Sequence, residues 1–385
     1  MTISSKDILA ALSKTGFPLE HRVTEAFRKK KWNTLSGRYY IDDIDGQARE
    51  LDLVAYRIIK TAGVDVVSCV LISCKKEGEN AWAFLSRPAP AGDTNHDWCP
   101  IDIWADEEPL ATYLGTGKWK AEYEKKARAD QPDFHVVTRD VFAYQVIAPP
   151  GPQQRTTKAE SKAPPSKAAK SVNDSPIFSS VTGLLKALHY KKNALPDRMK
   201  GRKRVYVFHL AVVLDGEMVD VRFEASDPQV TPAASILHLA RYIVAGSRTS
   251  ALVHFTQVAE LDGFVSRVDS LAAFDAEQVG GLVPKAYESI LHTREVQTYF
   301  AKRMRSSLIF AISRDLRETG ISETASELDI VSGDAGLLTF EVDVEPEGIA
   351  VLNAEGSHAR TEAARLLAKW AKFTGKFEFA FNFPF

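Results

Sequence analysis

Five residues in the first eighty stand at spacings that suit chemistry at a phosphate ester. Glu20 lies in the first turn of an amphipathic segment. Glu50 and Asp52 sit two apart in Arg49-Glu50-Leu51-Asp52-Leu53-Val54-Ala55, and Ser73 and Lys75 two apart in Ile72-Ser73-Cys74-Lys75-Lys76. Carboxylate oxygens hold hard cations such as Mg²⁺. Such a cation polarises a phosphate and lowers the pKa of a bound water, and a nearby lysine orients that water and stabilises developing negative charge. Side chains on a strand alternate faces, so a spacing of two sets Glu50 beside Asp52 and Ser73 beside Lys75. With the two segments as neighbouring strands, carboxylates and a lysine meet at one end of a sheet, and Glu20 adds a third carboxylate from a helix above it. Singly these residues are ordinary, since acids favour a helix first turn anyway. Lys75 is the exception, because it closes an apolar strand where a charge needs a reason.

The elements that must position them are legible in outline. Leu19, Val23 and Phe27 fall at i, i+4 and i+8 behind Pro18, which predicts a helix over Pro18–Lys31. Arg38–Ile41 reads as a strand, and Asp42–Asp43–Ile44–Asp45–Gly46 as a turn. Arg49–Tyr56 and Val66–Lys75 follow as strands, the second so continuously apolar that it suits a central strand covered on both faces. Residues 149–176 are rich in Pro, Ser, Ala and Lys and lack large apolar side chains, so they read as a flexible insertion. Beyond it a helix is expected at Ile177–Leu188 and a strand at Val205–Leu214, with a turn at Asp215–Gly216 and a hairpin partner at Met218–Phe223. A helix near Ala233–Ala245 and a strand near Leu252–Val258 come next. A long helix over Lys285–Thr319, strands near Leu337–Val344 and Ile349–Leu352, a helix at Ala359–Phe373 and a strand at Lys376–Phe383 complete the pattern.

Taken in order, GFPLEHRVTEAFRKKKW, GRYYIDDIDGQARELDLVAYR and VLISCKK followed by AWAF resemble the PD-(D/E)XK restriction-endonuclease-like superfamily, closest to its Mrr-type and Holliday-junction-resolvase-like branch. The resemblance covers about 65 residues. It implies a helix carboxylate at Glu20, the principal metal ligand at Asp52, an accessory acid at Glu50 and a catalytic lysine at Lys75, with Mg²⁺ or Mn²⁺ as cofactor. Where the family pattern carries glutamate, this chain has Ser73, a neutral and weak ligand. Weaker likenesses at Arg204–Val221 and Ala251–Val268 imply that the nuclease-like domain resumes after the insertion.

Bulk properties leave room for this reading. A chain of 385 residues is long for one domain. Net charge is −1, so a nucleic-acid surface must come from local clustering. One cluster stands out: Lys186, Lys191, Lys192, Arg198, Lys200, Arg202, Lys203 and Arg204 against the single acid Asp197. It is either a phosphate-contacting patch or a solvated loop. Cys69, Cys74 and Cys99 form no disulfide framework, which suits a reducing cytoplasm. MTISSKDILAALSKTG lacks the pattern of a secretory leader, and no apolar run is long enough to span a bilayer. Gly115-Thr116-Gly117-Lys118 lacks the full phosphate-loop spacing, and His96 with Cys99 is half a zinc motif without a partner pair. Phe377, Phe379, Phe381 and Phe383 alternate, so their face must be covered, by the C-terminal domain's own helix or by another subunit.

The expectation is an α/β protein with a restriction-endonuclease-like mixed central sheet flanked by helices over residues 1–275, and a smaller α+β domain over 276–385. The function expected is metal-dependent endonucleolytic hydrolysis of DNA, with a place in bacterial defence or DNA processing implied by the resemblance. The C-terminal domain is open to homo-oligomerisation or a partner protein. Ser73 keeps a second reading in view, a catalytically decayed nuclease fold that binds nucleic acid or serves assembly. A scaffold that binds no nucleic acid is the third.

Overall fold

The helix that carries Glu20 forms where the apolar stripe places it. In a computed structural model that describes residues 3–90, 96–150, 169–199, 201–224, 227–333 and 336–382, a short α1 (Ser5–Leu12) precedes α2 (Phe17–Lys29). α2 buries Leu19, Val23, Ala26 and Phe27, with Pro18 at its start and Arg28 and Lys29 in its last turn, where a helix favours cations. Phe27 meets Trp32 edge-on at 5.5 Å, and the Trp32 indole N–H donates to Asp269 at 3.0 Å. Each of these buried aromatic side chains contributes about 1.5–3 kcal/mol by leaving water. They fix the rotation of α2 and so the direction of Glu20.

Three antiparallel strands follow: β1 (Asn33–Ile41), β2 (Ala48–Lys60) and β3 (Asp65–Pro88). β3 runs 24 residues, well past the expected end at Lys75. Then come β4 (Asp102–Ala105), α3 (Glu108–Gly115), α4 (Lys120–Asp130), α5 (Pro132–His135) and β5 (Arg139–Ala148). Most of the expected insertion, 151–168, lies outside the described residues. Its end is regular structure: β6 (Lys170–Val172) pairs with β5, and α6 (Ser175–Met199) begins at once.

β7 (Arg204–Arg222) corrects the expected hairpin. The chain passes straight through Asp215–Gly216 and stays parallel to β3 on both sides of it, with a register shift between Lys76 and Ala81. Residues 77–80 of β3 there face the single Gly216 of β7. A Cβ on Gly216 would lie 2.5 Å from the Glu77 carbonyl oxygen, so glycine serves close backbone approach and not a reversal. β8 (Gln229–Pro232) pairs with β7. The helix expected near Ala233–Ala245 is instead β9 (Ser235–Val244), hairpinned to β10 (Ser247–Gln257). Ala245 and Gly246 take φ values of 48° and 75°, the paired left-handed conformation of a two-residue hairpin turn.

Among the described residues the large sheet has ten strands, ordered β1-β2-β3-β7-β10-β9 along its main path, with mixed parallel and antiparallel pairing. α6 covers one part of it, packing Val181, Leu184, Leu185 and Leu188 into a core with Leu71, Trp82, Phe84, Leu210 and Phe255. α7 (Leu261–Glu288) brings Asp275, fully buried, to the sheet. The Asp275 carboxylate accepts from Ser68 at 3.0 Å and Tyr123 at 3.1 Å and lies 2.8 Å from His209 Nε2, so its burial is compensated.

Contacts divide the chain into two units, Met1–Trp104 with Tyr123–Glu277, and Ala105–Glu122 with Gln278–Phe385. The middle segment joins the second unit because α3 meets the next helix, α8 (Arg294–Glu318): the Tyr299 hydroxyl donates to Glu108 at 2.7 Å. The long helix expected over Lys285–Thr319 is thus the end of α7, a break and α8. β11 (Leu328–Ser332) and β12 (Leu338–Val342) pair antiparallel, and α9 (Pro346–Asn353) replaces the strand expected at Ile349–Leu352. α10 (His358–Leu366) and β13 (Phe377–Phe381), parallel to β12, complete the unit. Phe379 is buried and stacks on Phe340 at 5.4 Å, the Arg360 guanidinium lies 5.2 Å from the Phe377 ring centre, and Phe377 and Phe381 stay half-buried. Phe383 lies outside the described residues. Among the described residues no helix is long and apolar enough to cross a membrane.

Candidate active site

Glu20 is half-buried in the first turn of α2. Burial raises its pKa, the negative charges of Asp52 and Glu50 raise it further, and Lys75 opposes them. One helix and two strands therefore bring these four side chains within electrostatic reach of one another.

Asp52 sits where the β2–β3 ladder ends. The last recorded pair is Leu53 with Ile72, and beyond it the Asp52 carboxylate takes the place of a backbone partner. Its Oδ2 accepts the Cys74 N–H at 2.6 Å and the Ser73 hydroxyl at 3.2 Å. Among the described residues its other oxygen has no hydrogen-bond donor. Ser73 is 7% exposed, so its hydroxyl acts as a donor that holds Asp52 and not as a surface group. That role is invisible in sequence, where serine registers only as a missing acid.

Strict alternation breaks beside Asp52. Leu51 and Val54 enter the same core cluster although they are three apart on one strand. Across the ladder Ser36 pairs with Leu53 and Arg38 with Leu51, and Gly37 between them has φ 58°. A glycine in this left-handed conformation inside a strand bends it and re-aims its neighbours. A Cβ on Gly37 would lie 3.4 Å from Glu50 Oε1. The isolated glycine of Ser36-Gly37-Arg38 is the sequence signal that could have revealed this.

Lys75 is half-buried on β3, paired in register with Leu214, one residue before the register shift. The neighbouring Lys76 ammonium donates to the Ser13 carbonyl between α1 and α2. The acids do not close into a compact ligand cage. Among the described residues, the group whose ligand atoms all lie within 4.8 Å of one another is Asp315, Glu318 and His358 in the second unit. There Asp315 accepts the N–H groups of His358 at 2.9 Å and Ala359 at 2.7 Å, and Glu318 pairs with Arg314 at 2.8 Å. That trio caps the start of α10. Mg²⁺ commonly keeps several waters and takes only one or two protein carboxylates. The uncommitted oxygens of Asp52, Glu20 and Glu50 fit that sparse demand.

The basic stretch is mostly the C-terminal half of α6, and its cations divide. Lys186 is buried against Asp42 at 2.8 Å and Asp43 at 3.5 Å. Lys192 pairs with Asp102 at 3.1 Å, and Arg204 lies 3.9 Å from Asp65. Arg202 and Lys203 are exposed. Lys200 lies outside the described residues. Lys191, Arg198 and Arg204 line a cavity with Arg38. The stretch is therefore neither one continuous phosphate track nor a solvated loop.

No protein family, no curated protein and no solved structure matches the chain.

Proposed function

We propose that Glu20, Glu50, Asp52 and Lys75 form a hydrolytic site for DNA phosphodiester bonds that works with Mg²⁺ or Mn²⁺. The supporting observation is the electrostatic coupling of Glu20 to Asp52, Glu50 and Lys75, three acids and a lysine drawn from α2, β2 and β3. Asp52, with Glu20 or Glu50, would hold the cation, which supplies Lewis acidity and a more acidic bound water. The protein's own groups divide the remaining work. Asp52 is oriented by the Cys74 N–H and the Ser73 hydroxyl. Lys75 sets a positive charge where a phosphate oxygen gains negative charge. Glu20, with proton affinity raised by burial and by two acids, is suited to accept a proton from water.

The test is nicking of supercoiled plasmid with Mg²⁺ or Mn²⁺, beside Asp52→Ala and Lys75→Ala. Each variant is expected to lose roughly 10²-fold or more of the activity. Nicking that survives both substitutions refutes the site. One observation favours a second reading, a nuclease fold that binds DNA without cutting it: Ser73 leaves the acids short of a closed cage. Retained DNA binding with no cleavage by either metal would select it. A cytoplasmic setting and a role in bacterial defence or DNA processing belong to the same proposal. It is supported by three buried cysteines outside any disulfide. Self-association or a partner protein through the C-terminal unit is proposed with it.

A further inference from the structure

Between α6 and the β1–β2–β3–β7 part of the sheet lies a cavity of about 600 Å³. It shares no residue with the Glu20–Lys75 set. Its floor is rigid: Tyr56, Cys69 and Phe208 stand abreast in register across β2, β3 and β7. Tyr206 stacks on Phe208 with ring centres 5.9 Å apart and planes 19° from parallel, and α6 adds Tyr190 as a wall.

Four cations line the same space: Arg38 from β1, Lys191 and Arg198 from α6, and Arg204 from β7. Arg204 lies 3.9 Å from Asp65, whereas among the described residues Arg38, Lys191 and Arg198 have no carboxylate partner. Burial holds the Lys191 ammonium below its usual pKa, and Arg198 and Arg38 add repulsion. Three like charges with no acid paired to them raise the energy of the empty site, and an anion relieves it. The volume is that of a small-molecule site, where a few polar groups orient a ligand held mainly by apolar and aromatic surface.

We infer that this cavity binds a nucleoside phosphate, with the base against the tyrosine faces and the phosphate on Arg38, Lys191 and Arg198. The ligand is either a free mononucleotide or one nucleotide of a single strand, for stacking on aromatic rings tolerates any base. The site stands apart from phosphodiester cleavage, so its test reads binding alone.

The experiment is calorimetric titration of the full-length protein with AMP, with a short oligothymidylate and with inorganic phosphate. It is run on the wild type, Lys191→Met and Arg198→Ala, each checked by thermal melting. Binding of AMP or of the oligonucleotide should weaken about 10–100-fold in Lys191→Met and Arg198→Ala. The arm that binds names the source. Lys191→Met should also melt higher than wild type without ligand, because it removes a buried, repelled charge and keeps the apolar stem. The inference is overturned by any of three results: no binding in any arm, inorganic phosphate binding as tightly as AMP, or affinity indifferent to Lys191 and Arg198.

Discussion

Ser73 shows how much one hydroxyl can decide. It donates to the carboxylate that the proposed mechanism depends on most. With Oγ 3.2 Å from Asp52, a carboxylate at this position would face a like charge, tolerable only with a cation between them or a proton on one of them. Ser73→Glu is therefore expected to melt lower than wild type in EDTA, by the equivalent of about 1–3 kcal/mol, and to recover with Mg²⁺. Equal melting curves with and without the metal would remove this corner from the metal site. Ser73→Ala, which deletes only the donor, should cost about 1 kcal/mol and respond to no metal.

At the scale of elements, the register shift between β3 and β7 begins one residue beyond Lys75. A methyl group on Gly216 would strike the Glu77 carbonyl. Gly216→Ala is expected to destabilise by about 1–3 kcal/mol and to lower plasmid nicking through Lys75, readable as a lower melting temperature together with reduced activity. An unchanged melting temperature would mean that the irregular stretch absorbs the methyl freely. The same stretch marks where sequence reading stopped. Asp215–Gly216 carries strong turn chemistry, and only pairing with a partner strand some 140 residues away keeps the chain extended. β9 was hidden for a related reason: SILHLARYIV suits a helix or a strand, and its pairing with β10 decides. What could be read was local. Leu19, Val23 and Phe27 gave α2, and the apolar run gave the central strand β3. The donor role of Ser73 and the cation cluster around Lys191 depend on residues distant in the chain, and no window of sequence contains them.

For the molecule as a whole, buried imidazoles set the response to acid. Burial pushes His135 and His238 down to about 4 and His254 to about 3. In the unfolded chain a histidine takes its proton near pH 6.5. Between that value and the folded pKa the unfolded state holds more protons, so stability falls as pH falls, by about 1.4 kcal/mol per pH unit for each group. Asp42 and Asp43, held low by hydrogen bonding to Lys186 and to the Ala245 N–H, add their loss in more acid solution. Glu20 and Asp102, raised by burial, act in the opposite sense. Melting temperatures should therefore drop steeply from pH 6.5 towards pH 4. His254 lies between the Phe134 and Phe264 rings, with centres 5.2 Å and 5.0 Å away, so His254→Phe should flatten the drop by one histidine's share. An unaltered slope would assign the acid response to other groups.

The parallel pairing of β3 with β7 also sets a timetable for folding. Asp65 finds Arg204 only after roughly 140 further residues have been made, which at ribosomal speed is about 7–28 s. Throughout that interval the apolar run Val66–Ile72 of β3 has β2 as a neighbour but not the strand that later closes its other edge. A nascent chain in this condition invites chaperone binding or strand-to-strand aggregation. Yield of active protein should consequently depend more on the rate of synthesis and on chaperone supply than the stability of the finished fold would suggest.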